Sequence, residues 1–333
     1  MNATIHVPVM ANEMLEHLDV RKGGVYFDGT LGGGGMTALI LERGGDVVAM
    51  DRDPDALSRA QTRFPREIQE GRLRLAHANH ADLRAVASDA GCHEAAGVVL
   101  DLGLSSDQLE DPAKGFSLLP QNDAALDMRM NPADPVSAAD IVATATEEEL
   151  AEIFRELGEE PQAKKFARAI VRAREQSPET MTTARLAAIV ESAAAGRRPC
   201  GKARHPATRV FQALRMRVND ELGSLESALE AGIALLAPGH GRMVVIAFES
   251  LTARCVKLAF QRHAGRFVSL QQGGSRWEGE APVVELLTRH AVAPSEAECR
   301  ANPRARSAKL RAVRRMGAAE TQGFFESNNG VVP

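Results

Sequence analysis

The sequence predicts an α/β chain, a doubly wound Rossmann-like parallel sheet interrupted by a mostly helical insertion. Strand-like apolar runs alternate with helix-like segments over residues 1–101. That alternation stops between about residues 138 and 235, where Ala-, Glu-, Arg- and Leu-rich stretches such as EEELAEIFRELG follow one another. Strand character then returns at Met243–Phe248 (MVVIAF).

The elements can be justified in order. Val25–Asp28 is a short apolar run ending in an acid, followed by the glycine-rich GTLGGGG and an apolar helix-like segment from Met36. Val47–Asp51 (VVAMD) reads as a second buried strand. After it, Asp53 can cap a helix that has Pro54 at its first position. Leu73–His77 and Val98–Asp101 read as strands three and four, with a helix between them. Residues 1–109 and 218–315 are thus expected to share one discontinuous domain and 110–217 to form the insertion. Residues 316–333 are expected to be a loosely ordered tail.

Composition narrows the class. The 333 residues are 44% apolar and 25% charged, which excludes a disordered chain, a collagen-like chain and a disulfide mini-protein. Aromatics make up 4%, with one Trp and one Tyr, which argues against an aromatic base-stacking platform. No apolar run approaches the ~18 residues of a membrane helix, and the N-terminus lacks a secretory pattern. Cys92, Cys200, Cys255 and Cys299 lie far apart with no CxxC or Cys/His spacing, so neither a metal nor a disulfide framework is expected. The expected location is the cytoplasm, with no membrane partner.

The net charge of −4 conceals a strong segregation. Residues 101–159 carry −11, residues 160–217 carry +9 and residues 300–315 carry +7. Two basic blocks of this size suggest a polyanionic partner, and solvated helix faces are the competing explanation.

In Asp28-Gly-Thr-Leu-Gly-Gly-Gly-Gly35 an acid ends a strand and glycines fill the turn before a helix. Glycine there lets the backbone turn sharply and lets a ligand approach closely. Asp51, at the end of the second strand, can accept hydrogen bonds from both hydroxyls of a ribose. Gly33-x-Gly35-x-x-Ala38 matches a dinucleotide fingerprint by count, as four consecutive glycines would match many templates. Asp28-x-Thr30-x-Gly32-x-Gly34 fits the D-x-[GT]-x-G-x-G loop of S-adenosylmethionine methyltransferases better.

The fourth strand ends in Asp101-Leu-Gly-Leu-Ser-Ser106-Asp-Gln108, which should face a reacting group beyond the strand ends. Attack on cytosine carbon-5 needs a cysteine thiolate, and no cysteine follows this strand nearby. An amine or hydroxyl acceptor remains. Asp101, a loop carbonyl, Ser105 or Ser106 could accept hydrogen bonds from an exocyclic amine, localising its lone pair.

HVPVM (6–10), DGTLGGGG (28–35), DRDPDAL (51–57), DLGLSSDQL (101–109), GFS (115–117), LDMRM (126–130), GEE (158–160), HPATRVFQALRMRVNDEL (205–222) and NPRARSAKLR (302–311) follow in order. Together they resemble the ribosomal RNA small-subunit methyltransferase H family from about residue 5 to residue 315. The resemblance implies a class I S-adenosylmethionine-dependent methyltransferase fold with an inserted helical substrate-recognition domain. It also implies methylation of N4 of a cytidine in the decoding region of 16S ribosomal RNA. Cofactor positions carry over to Gly34, Gly35, Met36, Asp51, His80, Asp101 and Gln108. The partner would be small-subunit RNA or the assembled subunit, gripped by His205, Arg209, Arg304 and Arg306, and a homodimer is compatible with the resemblance. Gln212 and Asn219 are expected to bond between helices rather than to act in catalysis.

The sequence departs from the family pattern at several positions. Met36 stands where His is usual and His80 where Phe is usual. Glu249, Thr252 and Ala253 replace His, Glu and Asp in FESLTARCVK, and the turn PGHGR (238–242) carries an extra residue. These departures motivate one alternative, an S-adenosylmethionine-binding RNA-binding or assembly factor with reduced activity. A nicotinamide-dependent oxidoreductase is the other.

Overall fold

In a computed structural model the described residues are 8–177, 180–194, 205–269, 275–278 and 281–327. The chain divides into two compact units, Met1–Gly103 with Leu222–Pro333, and Leu104–Glu221. The second begins a few residues before, and ends a few after, the insertion read from the sequence.

The first unit holds a seven-stranded sheet. Its strands are β1 (Val25–Asp28), β2 (Asp46–Asp51), β3 (Leu73–His77), β4 (Gly97–Asp101) and β5 (Arg242–Ala247), with β8 (Val284–Leu286) and β9 (Lys309–Arg315). β6 (Arg266–Ser269) and β7 (Ser275–Glu278) form a separate antiparallel pair. The order across the sheet is β3-β2-β1-β4-β5-β9-β8, with the first five strands parallel and β9 antiparallel to both its neighbours. This is the doubly wound α/β fold the sequence predicts. Phe248 lies just beyond β5 rather than in it.

Period-two alternation sends successive side chains to opposite faces of the sheet. Tyr26, Val47, Ala49, Val99, Val244 and Ile246 join one apolar core. Phe27, Val48, Met50, Val98, Leu100 and Val245 join the other. Helices Ala11–Leu18, Gly35–Glu42 and Pro54–Arg63 bury their apolar sides in the first core. Leu83–Asp89, Glu221–Leu235 and Ser250–Ala264 do so in the second. Both faces are therefore covered, which explains why the parallel strands read as unbroken apolar runs.

The C-terminal residues correct one expectation. Ala318–Ser327 form a helix rather than a loose tail. Glu320 accepts hydrogen bonds from the Gly317 N–H and the Arg314 guanidinium, and the Thr321 hydroxyl donates to the Pro282 carbonyl. The sequence hides this because the helix has little apolar periodicity. Residues 328–333 lie outside the described residues.

The second unit is mostly helical, with Ala138–Thr144, Glu147–Glu156, Ala163–Gln176, Thr183–Ala194 and Thr208–Val218 around one core. Phe154, Phe166, Ile170, Leu186, Val190, Val210 and Leu214 fill it. Ser137 with Asp140, and Thr146 with Glu149, form capping boxes that satisfy backbone N–H groups at two of the helix starts.

Candidate functional site

In an open α/β sheet, ligands bind beyond the carboxyl ends of the strands, where the strand order reverses. Here that point lies between β1 and β4, and each ends in an aspartate, Asp28 and Asp101. Asp28 lies opposite Val99, so Asp101 stands two residues farther out.

Asp28 is fully buried and serves as a fastener. Its Oδ1 accepts the Thr30 N–H at 3.1 Å and its Oδ2 accepts the Thr37 hydroxyl at 2.7 Å. One carboxyl group thereby joins the glycine turn to the first turn of helix Gly35–Glu42. Burial pushes its pKa up to about 6, opposed by these two hydrogen bonds.

Glycine is required in this turn for two different reasons. Gly32 and Gly34 have φ of 50° and 74°, in the left-handed region. Gly29 has no room, because a Cβ there would stand 2.4 Å from Leu100 Cδ2 and 3.3 Å from His80 Cβ. At Gly33 the same Cβ would meet nothing within 4 Å, so the loop opens onto free space there. Gly35 abuts the Pro8 ring.

Asp51 at the end of β2 holds the other side of the turn. Its Oδ2 accepts the Gly32 N–H at 2.8 Å and its Oδ1 accepts the Asp53 N–H at 2.9 Å. Burial raises its pKa while these bonds lower it. Each oxygen keeps a second lone pair for a ligand hydroxyl. Asp53 in turn caps helix Pro54–Arg63 through the Asp55 N–H, as the sequence suggests.

Two buried atoms of this unit mark where a ligand would complete the bonding. Asp101 Oδ1 and His80 Nε2 are sealed from solvent and have no hydrogen-bond partner among the described residues. Leaving such an atom unsatisfied costs about 1–3 kcal/mol, so the pair fits a polar ligand better than an empty crevice. Burial, with the charge of Asp28, pushes the Asp101 carboxyl up to about 7. Burial, with the charge of Arg52, pulls His80 down to about 4, which leaves its ring neutral near pH 7. The opening at Gly33, the free lone pairs on Asp51 and these two atoms suit a nucleoside cofactor such as S-adenosylmethionine.

Met36, expected at the cofactor, lies at the start of the helix that follows the glycine turn. Its side chain is 3% exposed and belongs to the apolar core with Met10, Met14 and Ile40. At the first turn of a helix packed on the sheet, an apolar thioether is drawn inward. Thr30 is a residue whose importance the sequence reading missed. Its hydroxyl oxygen accepts the Asp101 N–H at 2.6 Å. The only hint was its place in the D-x-[GT] pattern.

Ser105, Ser106 and Gln108 belong to the second unit. Ser105 Oγ accepts the Gln108 N–H at 3.2 Å, and Gln108 Oε1 accepts the Ser105 N–H at 3.1 Å. Both side chains thus cap the helix Ser106–Glu110 that Ser106 begins.

In the same unit His205 and Arg209 are exposed at the start of helix Thr208–Val218, with His205 Nδ1 accepting the Ala207 N–H. Arg204 lies outside the described residues. Where the sequence suggests bonds between helices, Asn219 instead accepts the Met130 N–H and donates to the Met128 carbonyl, so it fixes the non-helical LDMRM segment, and Gln212 donates to Met216 Sδ of its own helix. Arg304 and Arg306 belong to the first unit. They lie exposed on the short 3-10 turn Pro303–Ser307, whose Ala305 is buried. In FESLTARCVK, Thr252 is buried, and its hydroxyl donates to the Glu249 carbonyl at 3.1 Å.

Comparison with known proteins gives the family of the chain. A family model described as the MraW methylase family matches residues 3–316. Relatives named "Ribosomal RNA small subunit methyltransferase H" include one from Carboxydothermus hydrogenoformans, 44% identical over 94% of this chain and 99% of its own length. The relative from Granulibacter bethesdensis is 46% identical over 92% of this chain and 90% of its own. That from Azorhizobium caulinodans is 47% identical over 94% and 88%. The chain belongs to the MraW methylase family.

Proposed function

We propose that this chain transfers a methyl group from S-adenosylmethionine to N4 of a cytidine in the decoding region of 16S ribosomal RNA, in the cytoplasm. The observation that carries the reading is the match to small-subunit ribosomal RNA methyltransferases over almost the whole chain.

The residues divide the task. The glycine turn, with Gly34 and Gly35, gives the cofactor close access to backbone, and Asp51 accepts the ribose hydroxyls. His80, held neutral, would face the base of the nucleoside and could offer Nε2 to it. When bound, S-adenosylmethionine supplies an electrophilic methyl group on a cationic sulfur. Asp101 would accept an N–H of the cytosine amine through Oδ1, drawing the nitrogen lone pair out of the ring; N4 would then take the methyl group as its bond to sulfur breaks, leaving a neutral thioether, and the N4 proton would pass to water. Only an ionised Asp101 does this well, and a cation in the crevice favours that form. His205 and Arg209, and separately Arg304 and Arg306, contact phosphates, while the target base leaves its stack to be read.

A second reading, an RNA-binding assembly factor with reduced activity, is favoured by Thr252 and Ala253 where the family pattern has acids. One measurement separates the two. In a strain lacking its own enzyme, expression of this chain should restore N4-methylated cytidine in small-subunit RNA, read by nucleoside mass spectrometry. Binding of S-adenosylmethionine without restored methylation would favour the assembly factor.

A further inference from the structure

The second unit contains a cavity of about 550 Å³ that the methyl-transfer site does not use. Half-buried Ile141 of helix Ala138–Thr144 lines it, with half-buried Ile153 and Leu157 near the end of helix Glu147–Glu156. Exposed Glu149, Glu152 and Glu156 line it as well.

Helix spacing explains the arrangement. Leu150, Ala151 and Phe154 point into the core, while residues 149, 152, 153 and 156 share an adjoining flank. That flank therefore mixes carboxylates with a half-buried isoleucine. Glu149 accepts the Thr146 N–H at 2.7 Å and the Thr146 hydroxyl at 3.0 Å, which lowers its pKa and keeps it charged. Glu156 pairs with exposed Arg155, a contact a better-placed cation can replace. Arg217 is the one cation among the lining residues, so carboxylates outnumber it three to one.

Three carboxylates against one guanidinium would repel a phosphate backbone here and favour a cationic partner. We propose that this cavity binds a basic amphipathic peptide segment of a small-subunit ribosomal protein. An apolar side chain would rest on Ile153 and Leu157, and Lys or Arg would pair with Glu152 and Glu156. The assignment to a ribosomal protein rests on the proposed function; selectivity for a basic peptide does not. Such a contact would add a protein partner to the RNA contacts of the helical insertion.

The test uses the full chain and two short labelled peptides with leucines at helical spacing, one flanked by Lys and Arg and the other by Glu. Fluorescence anisotropy should show the basic peptide binding about tenfold tighter or more. Glu152→Lys with Glu156→Lys should remove that preference at unchanged melting temperature, and Glu152→Gln with Glu156→Gln should remove part of it. The Lys pair should also weaken co-sedimentation with isolated small subunits. Equal affinity for both peptides, indifference to both pairs of substitutions, or displacement of the peptide by a naked RNA oligonucleotide would overturn the proposal. If the wild-type chain kept its peptide preference but methylated no subunit, the functional reading would fail and the peptide site would stand.

Discussion

The Asp101 N–H donates to the Thr30 hydroxyl across 2.6 Å, tying the end of β4 to the turn that follows β1. The Thr30 N–H itself donates to Asp28. One threonine therefore fixes both strand ends at the point where the strand order reverses. The crevice is shaped before a ligand arrives, which is what positional catalysis needs.

Thr30→Val keeps the shape of the side chain and removes the acceptor. Urea denaturation should show a loss of about 1–3 kcal/mol, the cost of a poorly satisfied backbone N–H. Thr30→Ser should retain most of the stability. A loss in Thr30→Ser with none in Thr30→Val would show that the methyl group, and not the hydroxyl, matters.

Asp51→Ala should weaken S-adenosylmethionine binding by about 1.5–3 kcal/mol, the scale of hydrogen bonds to a charged group. The same change frees the Gly32 and Asp53 N–H groups, so melting temperature should fall as well. Isothermal titration separates the two effects. Lower stability with unchanged affinity would leave Asp51 as a fastener of the turn and remove it from the ribose.

Much of this was legible in the sequence because it rests on local rules. Four parallel strands showed as apolar runs, the glycine turn as a cluster between a strand and a helix, and Asp53-Pro54 as a helix start. What was not legible depends on contacts between distant residues. Nothing in GMTALILE indicates that Met36 turns into the core, since an exposed and a buried methionine look alike at the start of a helix. The bond between Thr30 and Asp101 joins residues 71 apart. Ser105 and Gln108 showed as polar residues near the expected chemistry. Their S-x-x-Q spacing was equally a capping signature, and capping is what their side chains do.

Asn219 is 1% exposed and serves the Met128 carbonyl and the Met130 N–H together. Asn219→Leu fills the volume but abandons both groups, and Met128 already has a left-handed backbone with φ of 63°. The variant should lose about 2–4 kcal/mol, from two buried backbone groups left unpaired. Differential scanning calorimetry and limited proteolysis should register it, with early cleavage near residues 126–130. A melting temperature within error of wild type would mean that the segment is held by its other contacts.

Asp101 makes a prediction whose sign follows from proton linkage. Its pKa is raised from 3.8 to about 7 in the folded chain, by burial first and then by the charge of Asp28. Between those values the folded chain binds more protons than the unfolded one, so stability is full below about pH 4 and falls as pH rises toward 7. Asp28, raised to about 6, adds to the same trend. Asp101→Asn removes the ionisation and should flatten this part of the profile, raising the melting temperature at pH 8 more than at pH 5. Each tenfold change in proton affinity is worth about 1.4 kcal/mol, so the difference should be measurable. Saturating S-adenosylmethionine should flatten the wild-type profile too, because a cation in the crevice favours the carboxylate. Asp101→Ala should suppress methyl transfer far more than RNA binding. A stability profile that Asp101→Asn leaves unchanged would show that the carboxyl is not raised, and an Ala variant with normal turnover in a radiolabelled methyl assay would remove Asp101 from the chemistry.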